Sequence, residues 1–190
     1  MDKPKYLGII PNPINVDLLN YIPTSIQKDE PLRIFHGVNT RAIHKKGNDY
    51  FEKALAIIQQ KYPGKLVVET VSNLPYKEYI EKYNACHVLL DQVFGYDQGY
   101  NALEAMAKGK VVFSGAEEEW EAFFNKQEDE VLIHVIPDVA QIVSKLEKLI
   151  LNPHLVQEIS KNARKFIEEE HHYIKIAENY ISTWQKKLVL

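Results

Sequence analysis

Short apolar runs alternate with amphipathic stretches along most of the chain. Leu32-Arg33-Ile34-Phe35-His36 reads as a strand ending at Gly37. Residues 48–61 follow, with Phe51, Ala54, Leu55, Ile58 and then Tyr62 at the spacing of one helix face. Pro63-Gly64 ends that helix as a turn. Leu66 to Val71 is the next strand, and Pro75 suits the first turn of a helix carrying Tyr76, Tyr79, Ile80 and Tyr83. Cys86 to Leu90 is almost continuously apolar, as expected of a strand covered on both faces. A helix over Tyr100 to Lys108 stops at Gly109. A strand at Val111 to Phe113, a short helix from Glu117 to Phe124 and a strand at Val131 to Ile133 complete the sheet. Asp138 is placed to cap a helix with the apolar face Val139, Ile142, Val143, Leu146, Leu149 and Ile150. Helices over about 153–169 and 170–187 close the chain.

This alternation predicts a Rossmann-like three-layer α/β/α domain with a mostly parallel sheet and right-handed crossovers. Ligands in such sheets bind outside the carboxyl ends of the strands. The first thirty residues differ. Pro4, Pro11, Pro13, Pro23 and Pro31 punctuate them around one apolar run, Tyr6 to Ile10. Residues 1–30 therefore read as an edge strand plus a linker, and 31–190 as the Rossmann-like domain.

Composition narrows the class. The chain has 190 residues, 45% hydrophobic and 26% charged, which suits a globular domain. A formal charge of −3 argues against general nucleic-acid binding. The one cysteine, Cys86, excludes an internal disulfide and a paired-cysteine metal site. No apolar run reaches a membrane span and no signal peptide is visible, so a cytoplasmic location is expected.

Candidate chemistry sits in loops after strands. Gly37 to Gly47 gathers Asn39, Arg41, Lys45 and Lys46 before a helix N-terminus, an arrangement suited to a phosphate or to a solvated basic turn. His36 stands beside it as a candidate contact. The loop after the third strand, Asp91-Gln92-Val93-Phe94-Gly95-Tyr96-Asp97-Gln98-Gly99, leads into Tyr100 and the helix that carries Glu104. A carboxylate at Glu104 can accept two ribose hydroxyls, or can simply favour the helix dipole. Glu117, Glu118 and Glu119 open a later helix, which the dipole alone explains.

Together these residues resemble the C-terminal, donor-binding domain of retaining GT-B glycosyltransferases of the group 1 type, which build bacterial polysaccharides. Ala102-Leu103-Glu104-Ala105-Met106-Ala107-Lys108-Gly109-Lys110-Val111-Val112 is similar to that family's "LLEAMACGxPVV". Lys46-Gly47 resembles its "KG", and Ile10 to Asn15 its "IPNGVD" at the interdomain crossing. Leu151-Asn152-Pro153 and Asn162 to Phe166 also resemble it. In the family's E-x7-E pattern Glu104 matches the second glutamate, which binds the ribose. The first, which contacts the donor sugar, is replaced by Tyr96; Asp91, Gln92 and Asp97 are the nearby substitutes. The family's "GR" is here Gly37-Val38, with Arg41 three residues later.

The resemblance implies transfer of a sugar with retention from a nucleotide-sugar donor to a saccharide or lipid-linked acceptor. Arg41, Lys46 and Glu104 would carry it. Gly37, Asn39, Asp91, Gln92, Tyr96, Asp97, Gly99 and Tyr100 would bind the donor. It implies no metal and no other cofactor, and a second, N-terminal Rossmann-like domain as partner. The chain alone would be inactive, and any peripheral membrane association would come through the full-length protein. The alternatives are a non-catalytic nucleotide-sugar-binding or scaffold domain and a receiver. Val88 to Asp91 and Phe113-Ser114-Gly115 resemble a receiver's phospho-acceptor strand and switch residue, but the acidic pair after its first strand is missing.

Other conspicuous residues read as structural. His171-His172 lie adjacent on a helix, Cys86 is a small buried hydrophobe, and Trp120, Trp184, Tyr76, Tyr79 and Tyr83 pack.

Overall fold

The computed structural model describes residues 8–27, 29–40 and 45–188. The element order is β1 (Leu32–Val38), α1 (Asn48–Lys61), β2 (Leu66–Ser72), α2 (Tyr76–Ala85), β3 (Val88–Leu90), α3 (Tyr100–Ala107), β4 (Val111–Ser114), α4 (Glu118–Phe124), β5 (Ile133–His134), α5 (Val139–Leu151), α6 (Pro153–Glu170) and α7 (Tyr173–Leu188). The five strands pair in the order β2-β1-β3-β4-β5, and every pairing is parallel.

Strand alternation sends successive side chains to opposite faces, and each face has its own core. Phe35, Leu89 and Val112 pack with Tyr83, Leu103, Trp120 and Phe166. Ile34, Val88, Leu90, Val111 and Phe113 pack with Phe51, Leu55, Ile58, Ile142 and Leu146. Helix α6 joins the two layers: Val156 and Ile159 belong to the second core, Ala163, Phe166 and Ile167 to the first. Asp138 caps α5 as expected, accepting hydrogen bonds from the Ala140 and Gln141 amides.

Among the described residues of the N-terminal segment there is no edge strand. Ile14 makes an isolated bridge to His172, and Val16–Leu18 form a single 3-10 turn. Further on, Thr24 Oγ1 donates to the Gly109 carbonyl at 2.5 Å. Arg164 on α6 donates to the Leu19 carbonyl at 3.0 Å and the Ala107 carbonyl at 2.8 Å. The prolines keep this segment out of a ladder, and side-chain hydrogen bonds fasten it across α3 and α6 instead. Tyr6 and Leu7, in the apolar run, lie outside the described residues.

Three smaller corrections follow. The fifth strand shifts from 131–133 to Ile133–His134: Val131 and Leu132 are buried without joining the ladder. His171 and His172 are not within a helix but form the joint between α6 and α7. Trp184 and Tyr76 stand largely in solvent, 60% and 78% exposed, Trp184 meeting the Tyr180 ring at 5.8 Å. Cys86 is buried as expected, and burial pushes its thiol up to about 12.

His87, beneath the N-terminal end of β3, is buried beside Arg33. Burial, and then the guanidinium, push it down to about 4. Burial also lowers His36 and His171. An unfolded histidine titrates near ~6.5, so the fold holds these rings neutral where the unfolded chain would protonate them. The stabilisation from His87 is complete above that value and lost as pH falls from it toward 4, and His36 and His171 act in the same direction. The urea midpoint is therefore expected to fall between pH 7 and 5.5, and less steeply in His87→Gln. Equal slopes would contradict this.

Candidate functional site

The order β2-β1-β3-β4-β5 reverses direction between β1 and β3, the switch point at which doubly wound sheets leave a crevice. Register deepens it. Strand β3 ends at Leu90, opposite His36, while β1 continues through Gly37 and Val38 alongside Val71 and Ser72. The step opens a cleft of about 280 Å³, whose walls include Gly37, Asn39, Lys46, Asn73, Tyr79 and Asn101.

Asp91 follows β3 and is almost wholly buried at the base of this step, its side chain 2% exposed. Lys46 Nζ donates to its Oδ1 at 2.6 Å while remaining 35% exposed. Asn101 Nδ2 reaches the same oxygen at 3.4 Å, and Ser114 Oγ, at the end of β4, reaches Oδ2 at 3.4 Å. Asn101 is itself held by the Tyr79 hydroxyl on its Oδ1 at 3.2 Å and the Tyr83 hydroxyl on its carbonyl at 2.8 Å. One network thus ties the ends of β3 and β4 and the residue before Gly47 to α2 and α3.

Lys46 and Gly47 are tightly held. Gly47 adopts φ +67°, and a Cβ there would lie 2.1 Å from Val93. The Val93 amide also donates to the Lys46 carbonyl at 3.0 Å. Gly115 is more constrained: a Cβ would lie 1.4 Å from the Gly95 carbonyl oxygen. Gln98 Nε2 donates to the Gly115 carbonyl at 2.6 Å, so the loops after β3 and β4 are locked together.

The predicted residues fall into groups. Gly37, Asn39 and Lys46 line the cleft, above Asp91. Gly99 and Tyr100 start α3, whose N-terminus no side chain caps. Glu104 is exposed one turn beyond Asn101, just outside the cleft lining. It is close enough to raise the Tyr79 and Tyr83 phenols, although burial is the larger cause for both; Tyr79 is pushed up to about 12. Gln92 braces its own loop, donating to the Asp97 carbonyl at 2.9 Å. Tyr96 and Asp97 line a different cavity. His36 does not reach the cleft: it is fully buried, with Nε2 3.2 Å from Asn48 Oδ1. Arg41 lies outside the described residues. Asn101, Tyr79 and Ser114 were not predicted as site residues. Asn101 sits one residue before the family-like helix phrase, and Tyr79 reads as part of a packing stripe because its ring does pack, 5.1 Å from Phe35.

The fold is that of the C-terminal half of a GT-B glycosyltransferase. The chain belongs to the glycosyl transferase-like family, whose model matches residues 33–182. The same fold recurs in the C-terminal domain of LpcC, a glycosyl transferase group 1 family protein from Francisella tularensis. That match has 19% identity and a TM-score of 0.59, covering 84% of this chain and 98% of that domain. S. aureus TarM, solved with UDP among its ligands, matches at 13% identity and TM-score 0.67 over 93% of this chain and 39% of TarM. Anabaena HepE, solved with UDP-glucose, matches at 15% identity and TM-score 0.67 over 94% of this chain and 57% of HepE. The chain thus spans about two fifths of TarM's length. No curated protein matches it. Among the described residues no helix is long and apolar enough to cross a membrane.

Proposed function

We propose that this chain is the donor-binding half of a glycosyltransferase and holds the diphosphate of a nucleotide sugar in the cleft between β1 and β3. The observation that carries this reading is Lys46 standing at the sheet's switch point, anchored by Asp91 and still a third exposed. Only one of its three N–H donors is needed for Asp91. The others, the Arg41 guanidinium and the uncapped N-terminus of α3 can stabilise a diphosphate and the charge that grows on it as the sugar leaves. Glu104 accepts the ribose hydroxyls. No metal is needed where cations and a helix end supply the positive charge. Transfer with retention to a saccharide or lipid-linked acceptor requires a second Rossmann-like domain, and the 98% coverage of an isolated C-terminal domain agrees with that division.

Calorimetric titration with uridine and guanosine diphosphates tests the reading. One of them is expected to bind weakly, with Glu104→Ala and Arg41→Ala each weakening it about tenfold or more, the value of a charge-assisted hydrogen bond. No binding by either nucleotide, or affinities unchanged in both variants, would favour a scaffold domain. Tyr96 keeps that second reading in view, because it puts an exposed phenol where the resemblance asks for a carboxylate.

A further inference from the structure

The two rims of the sheet are finished differently. At one rim the Val135 amide bonds β4, at the Ser114 carbonyl 3.1 Å away, so the His134 backbone of β5 faces outward. Side chains close it: Asp129 Oδ1 accepts from the His134 amide at 3.1 Å, and Gln141 Nε2 donates to the His134 carbonyl at 3.1 Å. At the other rim stands β2, last in the strand order. It keeps unbroken register with β1 from Leu66 to Ser72, with no proline and one charge, Glu69. The Leu32 amide donates to the Lys65 carbonyl at 2.9 Å, so Lys65, Val67, Glu69 and Val71 turn their backbone toward β1. Leu66, Val68, Thr70 and Ser72 therefore direct their N–H and C=O groups away from the sheet. Among the described residues no strand and no side chain bonds these groups.

A long open edge of this kind is a template for another strand. Its two faces differ. Leu66 and Val68 pack inward against the second core. Lys65, Val67 and Glu69 share the opposite face, two residues apart. Val67 is 45% exposed. The Lys65 and Glu69 side chains are 59% and 44% exposed, with partners within the chain at 4.0 Å (Asp29) and 2.9 Å (Lys82). The two opposite charges stand symmetrically about Val67, so the strand is complementary to itself when it is turned end for end.

We infer that β2 pairs antiparallel with β2 of a second copy of this chain, about a two-fold axis through Val67, so that the two five-stranded sheets run on as one. In that register Leu66 and the partner's Val68 exchange both backbone hydrogen bonds, and the symmetric pair does the same. Val67 meets its counterpart on the axis, and Lys65 stands opposite the partner's Glu69 on either side. Centring the pair on Glu69 would oppose like charges, and centring it on Val68 would set Glu69 against a valine. The assembly closes as a dimer, because the strands left at its rims are the two copies of β5, already blocked by Asp129 and Gln141. Residues 65–69 do not line the diphosphate cleft, so the inference stands or falls apart from the nucleotide reading.

The test is analytical ultracentrifugation of the full 190-residue chain over a dilution series reaching about 1 mM. A monomer–dimer equilibrium is expected, with no larger species. Lys65→Glu and Glu69→Lys each set like charges opposite one another on both sides of the axis, and each is expected to weaken the dimer about tenfold or more. An equimolar mixture of these two variants opposes unlike charges at both places and is expected to dimerise as tightly as the unsubstituted chain. Val67→Lys, which leaves both charged positions intact, puts two cations on the axis and is expected to give monomer. All three side chains are largely exposed, and far-UV circular dichroism checks that each variant is folded. A chain that stays monomeric at every concentration would overturn the inference. So would a dimer that Val67→Lys and Lys65→Glu leave unchanged, or a mixture that associates no more tightly than either variant alone.

Discussion

Gly115→Ala is expected to be the most damaging single methyl that can be added near the site. The new Cβ would stand 1.4 Å from the Gly95 carbonyl oxygen and 2.6 Å from its carbonyl carbon. No side-chain rotation relieves a backbone clash, so one of two loops must move. Gln98, which ties these loops through the Gly115 carbonyl, must then lose its 2.6 Å bond. Displacing packed backbone costs about 1–3 kcal/mol or more, and leaving the buried Gln98 amide unpaired adds about 1–3 kcal/mol. A loss of about 3 kcal/mol in urea unfolding is the expected result. Gly99→Ala serves as the control, because nothing lies within 4 Å of a Cβ there. If both variants unfold at the same urea concentration, the two loops are not locked as described.

The second large effect concerns Lys46. Lys46→Met removes the cation from a carboxylate whose side chain is 2% exposed and whose other partners, Asn101 and Ser114, stand at 3.4 Å. Breaking a buried pair on one side costs about 3–5 kcal/mol. Because Lys46 keeps about a third of its surface in water, the lower end of that range, about 3 kcal/mol, is expected. The double variant Lys46→Met, Asp91→Asn replaces the charged pair by neutral groups and is expected to regain most of the stability. It is not expected to regain nucleotide affinity, since no cation returns to the cleft. Recovery of both would make the lysine purely structural.

The fold was legible because both faces of a parallel sheet are covered. That makes strands such as Val88–Leu90 continuous apolar runs, set off from the 3.6-residue period of helices such as Asn48–Lys61. Burial without pairing was not legible: Val131 and Leu132 look like strand residues because they are buried, and the ladder takes Ile133 and His134. The anchors of the N-terminal segment were not legible either: they are hydrogen bonds between residues as far apart as Leu19 and Arg164, which no local pattern encodes.

The site was half legible. Loops after strands had to face the carboxyl edge of the sheet, and Gly37, Asn39 and Lys46 do line a cleft there, with Asp91 beneath Lys46. That Asp91 would lie beneath the cleft as the anchor of Lys46, rather than in its wall, depends on a register step between β1 and β3 that only the folded sheet reveals. Tyr79 serves both as packing and as the hydrogen-bond support of Asn101, and periodicity reports only the first. Tyr96 and Asp97, in the loop after β3, line a different cavity.

A crystal structure of the chain soaked with uridine diphosphate tests the central claim most directly. The account predicts diphosphate oxygens within hydrogen-bond distance of Lys46 Nζ, over the carboxyl ends of β1 and β3, and the ribose against Glu104. A nucleotide seated in the cavity beside Trp120 and His171, or anywhere away from Lys46, would contradict it.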